Sequence, residues 1–226
     1  METSEQISAD LKALLTANHT CFEFLNTYKG VPVICRAILQ KVEKQMAYFQ
    51  ARTPEMVMLE KAKTTQILSE GLLEPIVAHI ASFDSHTGKV ELIKFAYAGS
   101  RLCNRKELRV EPGDPIEVAL ECDQKTCNGH LADISMRGIG ARVAAKDECL
   151  FGQNKTVSLR LRLPEGEMQT SGRIRNISYP GDQVRLAIEF TGAGPEKTLV
   201  VRYILSRRSE IYGELHQILA EYEKFR

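Results

Sequence analysis

Arg105-Lys-Glu-Leu-Arg109-Val110 and, some two dozen residues on, Asp133-Ile-Ser135-Met-Arg-Gly138-Ile-Gly140 are the segments on which the reading of this chain turns. The first sets two arginines four apart. An arginine fork pairs bidentately with phosphate or with the O6/N7 edge of guanine, and its flat face stacks on a base. The second sets an acidic residue, a hydroxyl and a glycine on a turn. A carboxylate accepts hydrogen bonds from the opposite edge of guanine. A small hydroxyl and a turn glycine let backbone come close to a bound molecule. Together these groups suit a ligand that carries both phosphate and guanine.

This pairing, R-x-x-x-R followed by [D/N]-x-S-x-x-G, resembles the PilZ family, whose domains bind the bacterial second messenger cyclic di-GMP. Arg105 and Arg109 match the first motif; Asp133, Ser135 and Gly138 match the second. Val110, the strand-like Pro115–Glu121, the Gly138-Ile-Gly140 step and the late Val184–Phe190 segment also sit where that family has them, so the resemblance covers roughly 101–205. It implies that Arg105 and Arg109 clamp phosphate and guanine, with Arg109 able to stack on a base. Asp133 takes the Watson–Crick edge, Ser135 adds a hydrogen bond, and Gly138 leaves room for the ligand. Arg101, Asn104 and Gly140 are further candidates at the same site.

Each motif has a competitor in the chain. Arg101 and Arg105 also make R-x-x-x-R, but Arg109 runs directly into Val110 and a strand. Asn176-Ile-Ser178-Tyr-Pro-Gly181 also satisfies the second pattern, but it lies far beyond the family's interval and reads as a turn between two late strands.

Composition limits the alternatives. The 226 residues hold 30 basic and 29 acidic side chains, so bulk attraction to nucleic acid or membrane is not indicated. Basic charge is local instead, with Arg101, Arg105, Lys106 and Arg109 close together. The chain opens without a basic segment and apolar run, and no apolar stretch approaches the ~20 residues of a spanning helix. A cytoplasmic protein is expected. Six scattered cysteines supply no second pair beside Cys122 and Cys127, so reduced structural thiols are expected rather than zinc ligands.

The expected fold is mainly β, with two small antiparallel β-barrel domains, a short N-terminal helix and a C-terminal helix. Its parts are a helix-plus-barrel domain over 1–98, a linker with the arginine motif over 99–110, a second barrel over 111–205 and a helix over 206–226. Ile7, Leu11, Leu14 and Leu15 give the first helix over 4–19. Alternation from Val31 to Leu39 gives a strand. Gln45–Ala51, Met56–Glu60, Leu73–Asp84 and Lys89–Tyr97 read likewise, although 41–66 is rich in helix formers. In the second half strands are expected near 115–122, 129–134, 139–144, 156–163, 167–178 and 183–190. The final helix begins near Pro195–Glu196, with a break near Ser206–Ser209. Its apolar stripe is expected to pack on the barrels, with a homodimer or partner surface at the last turns as the alternative. A barrel ahead of a PilZ domain is similar in arrangement to flagellar-brake-type proteins.

No Ser/His/Asp or Cys/His set is present, and Gly192-Ala-Gly194-Pro-Glu-Lys197-Thr198 lacks the spacing of a phosphate loop. Neither a G-G-D-E-F nor an E-A-L segment is placed as in enzymes that make or break cyclic di-GMP. The expectation is a non-enzymatic receptor with cyclic di-GMP as ligand and no cofactor or metal. Its inter-domain arrangement would change on binding to regulate a protein target in motility, surface attachment or exopolysaccharide export. The alternative is a PilZ-fold interaction module that does not respond to the nucleotide.

Overall fold

The computed structural model describes residues 2–51, 53–98, 108–145, 151–191 and 196–224. Two compact units emerge. One comprises Met1–Tyr28, Pro32–Lys106 and Gly213–Arg226; the other comprises Lys29–Val31 and Glu107–Tyr212.

The first unit opens with α1 (Glu2–Thr16). Ile7 and Leu11 are fully buried one turn apart, with Leu14 and Leu15 packed beside them. The helix stops where Asn18 takes a left-handed φ of 61°. His19 N–H then bonds back to the Leu14 carbonyl at 2.9 Å and Asn18 N–H to Leu15 at 3.1 Å, closing the last turn.

Six strands follow: β1 (Cys21–Tyr28), β2 (Val31–Glu43), β3 (Met46–Ala51), β4 (Thr64–Leu68), β5 (Ile76–Asp84) and β6 (Lys89–Tyr97). They close as an antiparallel barrel in the order β1-β2-β3-β6-β5-β4. Inward residues alternate along β2 (Val31, Val33, Cys35, Ala37 and Leu39), as a half-buried strand requires. Phe49 meets Phe22 and Phe24 edge-on, at 5.4 and 5.0 Å between centroids, in the barrel interior.

Two expectations for this barrel are corrected. Met56–Glu60 is not a strand: Pro54–Leu59 is a 3-10 helix whose buried residues, Met56 and Leu59, lie three apart. The barrel is completed instead by β1 and β4, which the sequence reading did not include.

The second unit holds β7 (Arg109–Val110), β8 (Glu117–Cys122), β9 (Lys125–Ser135), β10 (Gly138–Ala144), β11 (Thr156–Leu163), β12 (Gly166–Ser178) and β13 (Gln183–Phe190). The six strands expected from alternation are β8 to β13. Their order β10-β13-β12-β11-β8-β9 closes through a β9–β10 pairing, and β7 adds two residues to β9. On β11, Val157, Leu159, Leu161 and Leu163 face in, while Arg160 and Arg162 face water. The hairpin from β8 to β9 turns on Asp123 and Gln124, both at positive φ (51° and 64°), as a two-residue turn matched to strand twist demands.

One irregularity in this barrel governs the rest. Gly140 pairs with Asp133 and Ala141 with Leu131, so Ala132 is an extra residue in β9. Before this bulge Cys127, Gly129 and Leu131 face in; after it Ile134 does, opposite Ile139. Asp133 and Ser135 are thereby turned to the outer face.

The final helix, α2 (Glu196–Lys224), runs without the break expected near Ser206–Ser209. The polar stretch there hides a buried cation. Arg207 is 4% exposed, donates from Nε to the Glu111 carbonyl at 2.9 Å and pairs through Nη1 with Glu210 at 2.8 Å. Mainly β, with two barrels and a helix at each end, is the fold the sequence led one to expect. No helix among the described residues is long and apolar enough to cross a membrane.

Candidate functional site

The outer face of the second barrel, where β7, β9, β10 and β13 run side by side, gathers most of the predicted residues. Arg109 lies opposite Ser135 in the β7–β9 pairing, one diagonal step from Asp133. Its Nη1 donates to Asp133 Oδ1 at 3.2 Å. The other carboxylate oxygen, Oδ2, accepts from Nη2 of Arg185 on β13. Asp133 is 6% exposed, whereas both guanidinium side chains are about two-fifths exposed. A nearly buried carboxylate is thus held between two cations that reach solvent. Such an ion pair sits between the weak surface case and the strong buried one, so its geometry matters more than its count.

Asp133 reaches β13 because nothing stands in its way on the intervening strand. A Cβ at Gly140 would lie 2.7 Å from Asp133 Oδ2 and 3.1 Å from its Cγ. The carboxylate therefore occupies the space that any other side chain at 140 would claim. Gly138 has a different neighbour. A Cβ there would fall 2.1 Å from the Ile188 carbonyl oxygen, so this glycine lets β13 come close to β10. Gly140, rather than Gly138, is the glycine that leaves room for the Asp133 carboxylate.

Ser135 closes the turn between β9 and β10. Its hydroxyl donates to the Gly138 carbonyl at 3.2 Å and accepts from Arg137 N–H at 3.4 Å. The D-x-S-x-x-G pattern is thus one local device: the serine and first glycine set the hairpin, and the hairpin and bulge aim the aspartate.

Arg109, Asp133, Ser135, Gly138 and Gly140 are brought together. Arg101, Asn104 and Arg105 lie outside the described residues. Arg185 was missed by sequence reading; it looked like one outward position in the alternating Val184–Phe190 strand, and only the register across the barrel reveals its partner. The set-aside Asn176–Gly181 motif ends β12 and turns into β13, with Gly181 at a φ of 65°.

No group of three His, Cys, Asp or Glu side chains suited to a metal occurs among the described residues. Cys35, Cys122 and Cys127 are buried and Cys21 is exposed. Burial pushes the Cys35 thiol up to about 11. A separate cleft of about 960 Å³ lies in the first unit, lined by His19, Phe22, Arg36, Leu68 and Leu72 among others.

Comparison with known proteins bears on the second unit above all. The family model described as PilZ domain matches residues 104–206. An uncharacterized protein of Aquifex aeolicus (strain VF5) is 28% identical over 128 residues, which is 50% of this chain. The matched part spans 56% of that relative's own length. Among solved structures, the PilZ domain of YcgR from Escherichia coli with c-di-GMP is similar over 50% of this chain and 98% of its own, at 19% identity and a TM-score of 0.44. The complex of YcgR with c-di-GMP, also from Escherichia coli, covers 93% and 92%, at 15% identity and a TM-score of 0.47. The MrkH–c-di-GMP complex of K. pneumonia covers 95% and 98%, at 12% identity and a TM-score of 0.49.

Proposed function

We propose that this chain, whose residues 104–206 are a PilZ domain, is a receptor for cyclic di-GMP. The observation that carries the reading is the Asp133 carboxylate, laid over Gly140 on the barrel's outer face and flanked by Arg109 and Arg185. Carboxylate and arginines side by side offer acceptors to the N–H edge of guanine and donors to its O6/N7 edge or to phosphate. In this reading Arg105 and Arg109 clamp phosphate and guanine, with Arg101 and Asn104 at the margin of the site. Asp133 takes the Watson–Crick edge, while Ser135 and Gly138 keep the turn that presents it. The protein binds and signals without chemistry of its own, so purified protein leaves added cyclic di-GMP intact.

The test is calorimetric titration of cyclic di-GMP into wild type, Arg105→Ala and Asp133→Ala. Loss of one charge-assisted contact corresponds to roughly 1.5–3 kcal/mol, about a tenfold to hundredfold weakening. Tight binding by wild type that both substitutions weaken supports receptor and site together. A folded wild type that takes up no ligand sinks the receptor reading and leaves a PilZ-fold interaction module.

The finer reading is that ligand capture by the arginine segment at 99–110 changes the arrangement of the two barrels and so regulates a protein target in the cytoplasm. The arginine motif's place in the chain, between the two barrels, supports it. Small-angle scattering profiles that superimpose with and without ligand would rule it out.

A further inference from the structure

The outer face of the second barrel also carries His130, Arg142 and Ser178, side chains that the receptor reading does not use, in one row with Arg185. The pairing registers put His130 of β9 opposite Arg142 of β10, Arg142 opposite Arg185 of β13, and Arg185 opposite Ser178 of β12. The neighbouring row is Asp133, Gly140, Ala187 and Asn176. Adjacent strands lie about 4.8 Å apart, so each row spans about 14 Å. The Asn176-Ile-Ser178 segment set aside from the sequence is thus on the same face as Asp133, on the far side of Arg185.

Charge along these rows is lopsided. Directly opposed like charges repel across an antiparallel pair, and Arg142 has a cation opposite it on β13 and an imidazole opposite it on β9. Arg185 is compensated by Asp133. Arg142 is exposed and Ser178 half-buried, and neither side chain has a hydrogen-bond or ion-pair partner among the described residues. Glu189, the acidic residue farther along β13, is engaged by Arg175 at 2.6 Å. Of the three guanidiniums on this face, those of Arg109 and Arg185 contact the Asp133 carboxylate and that of Arg142 does not; Glu117 lies two strands from Arg142, opposite His130. Arg142 and Arg185 face each other on adjacent strands, and a phosphodiester fits two arginine forks so placed.

We propose that Arg142 and Arg185, with the Ser178 hydroxyl as a further donor, form a phosphate subsite of the ligand face, next to the Gly140–Ala187 floor. This subsite rests on the reading of that face as a cyclic di-GMP receptor. Asp133 holds Arg185 in place, and Arg142 supplies a second cation, one with no acidic partner among the described residues. The ligand then lies across β10 and β13, its guanine at Asp133 and a phosphate at the arginine pair.

The experiment titrates cyclic di-GMP into the full chain at low and moderate salt, for wild type, Asp133→Ala, Arg142→Gln, Arg142→Lys and Ser178→Ala, and records melting of each ligand-free variant. Arg142→Gln is expected to weaken binding at least tenfold and to flatten its salt dependence. Its ligand-free melting should equal or exceed that of wild type, because a like-charge opposition is removed. Arg142→Lys should recover part of the affinity, and Ser178→Ala should lose several-fold. If Arg142→Gln binds as wild type while Asp133→Ala is weakened, the subsite is wrong and the receptor reading stands. If weakened binding comes with a lowered melting temperature, Arg142 serves the fold and the subsite is again wrong. A wild type that binds no cyclic di-GMP overturns both.

Discussion

Gly138 and Gly140 stand two residues apart in one motif, and the structure assigns them opposite consequences when a methyl group is added. At Gly138 the new Cβ would lie 2.1 Å from a backbone oxygen, where ordinary contact begins at 3.4 Å. Backbone of the neighbouring strand must retreat by about 1 Å, which overpacks the barrel wall and stretches ladder bonds near Ile188 toward the ~3.5 Å limit. Overpacking of roughly 1–3 kcal/mol plus one weakened hydrogen bond gives about 2–4 kcal/mol. For a barrel of this size that is a fall in melting temperature of roughly 10–20 °C. At Gly140 the same methyl meets the end of the Asp133 side chain at 2.7 Å. A carboxylate swings aside far more easily than a strand, so Gly140→Ala should cost about 1 kcal/mol or less in stability. It displaces the group that faces the ligand, and affinity for cyclic di-GMP should fall about tenfold. Thermal melts, hydrogen exchange over β10 and β13, and ligand titration of both variants read these effects separately. Wild-type melting and exchange for Gly138→Ala, with wild-type affinity for Gly140→Ala, would refute the division of labour. A Gly138→Ala protein that melts normally yet fails to bind would make that glycine a ligand contact.

Other outcomes follow from buried groups. Arg207→Ala removes a buried stem and the bond to the Glu111 carbonyl, and should destabilise the second unit by about 2–3 kcal/mol, read by denaturant titration. Burial pushes the Tyr203 phenol up to about 12, above the value of about 10 expected when unfolded. Its stabilising effect is therefore complete below pH 10 and lost as pH climbs through 12, so wild type should lose melting temperature over that window more steeply than Tyr203→Phe. Alkylation of the folded chain followed by mass spectrometry should label Cys21 ahead of Cys35, Cys122 and Cys127; prompt labelling of Cys35 would contradict the barrel core.

Much of the second barrel was legible because β11 and β13 alternate strictly and the turns around β12 carry Gly, Pro or Asn. The first barrel was less so, for local reasons. In β4 only Thr65 and Ile67 face in, too short a run to stand out among helix formers. Met56 and Leu59 are buried three apart, a 3-10 spacing that an alternating pattern mimics over five residues. Ser206-Arg-Arg-Ser209 looked like a break because nothing local shows that Arg207 turns inward to a carbonyl nearly a hundred residues earlier. At the site, Asp133, Ser135 and the glycines could be named because their motif resembles that of the PilZ family. Arg185 could not, since its place beside Asp133 exists only once β10 and β13 are in register across a glycine.

The bulge at Ala132 makes the candidate site a matter of parity. Counted from the hairpin at Asp123 and Gln124, side chains of β9 fall alternately inside and outside, and the one supernumerary residue switches the count. Deleting Ala132 would join Leu131 to Asp133 and keep the alternation, whereas drawing Ala132 into the regular ladder would turn Asp133 toward the core and Ile134 toward water with each residue still present and in order. A comparison that scores residues alone would see no difference between the bulged strand and the regular one. The surface can therefore be silenced by a change of register as completely as by a change of chemistry, and the bulge that takes up Ala132 is what holds the frame.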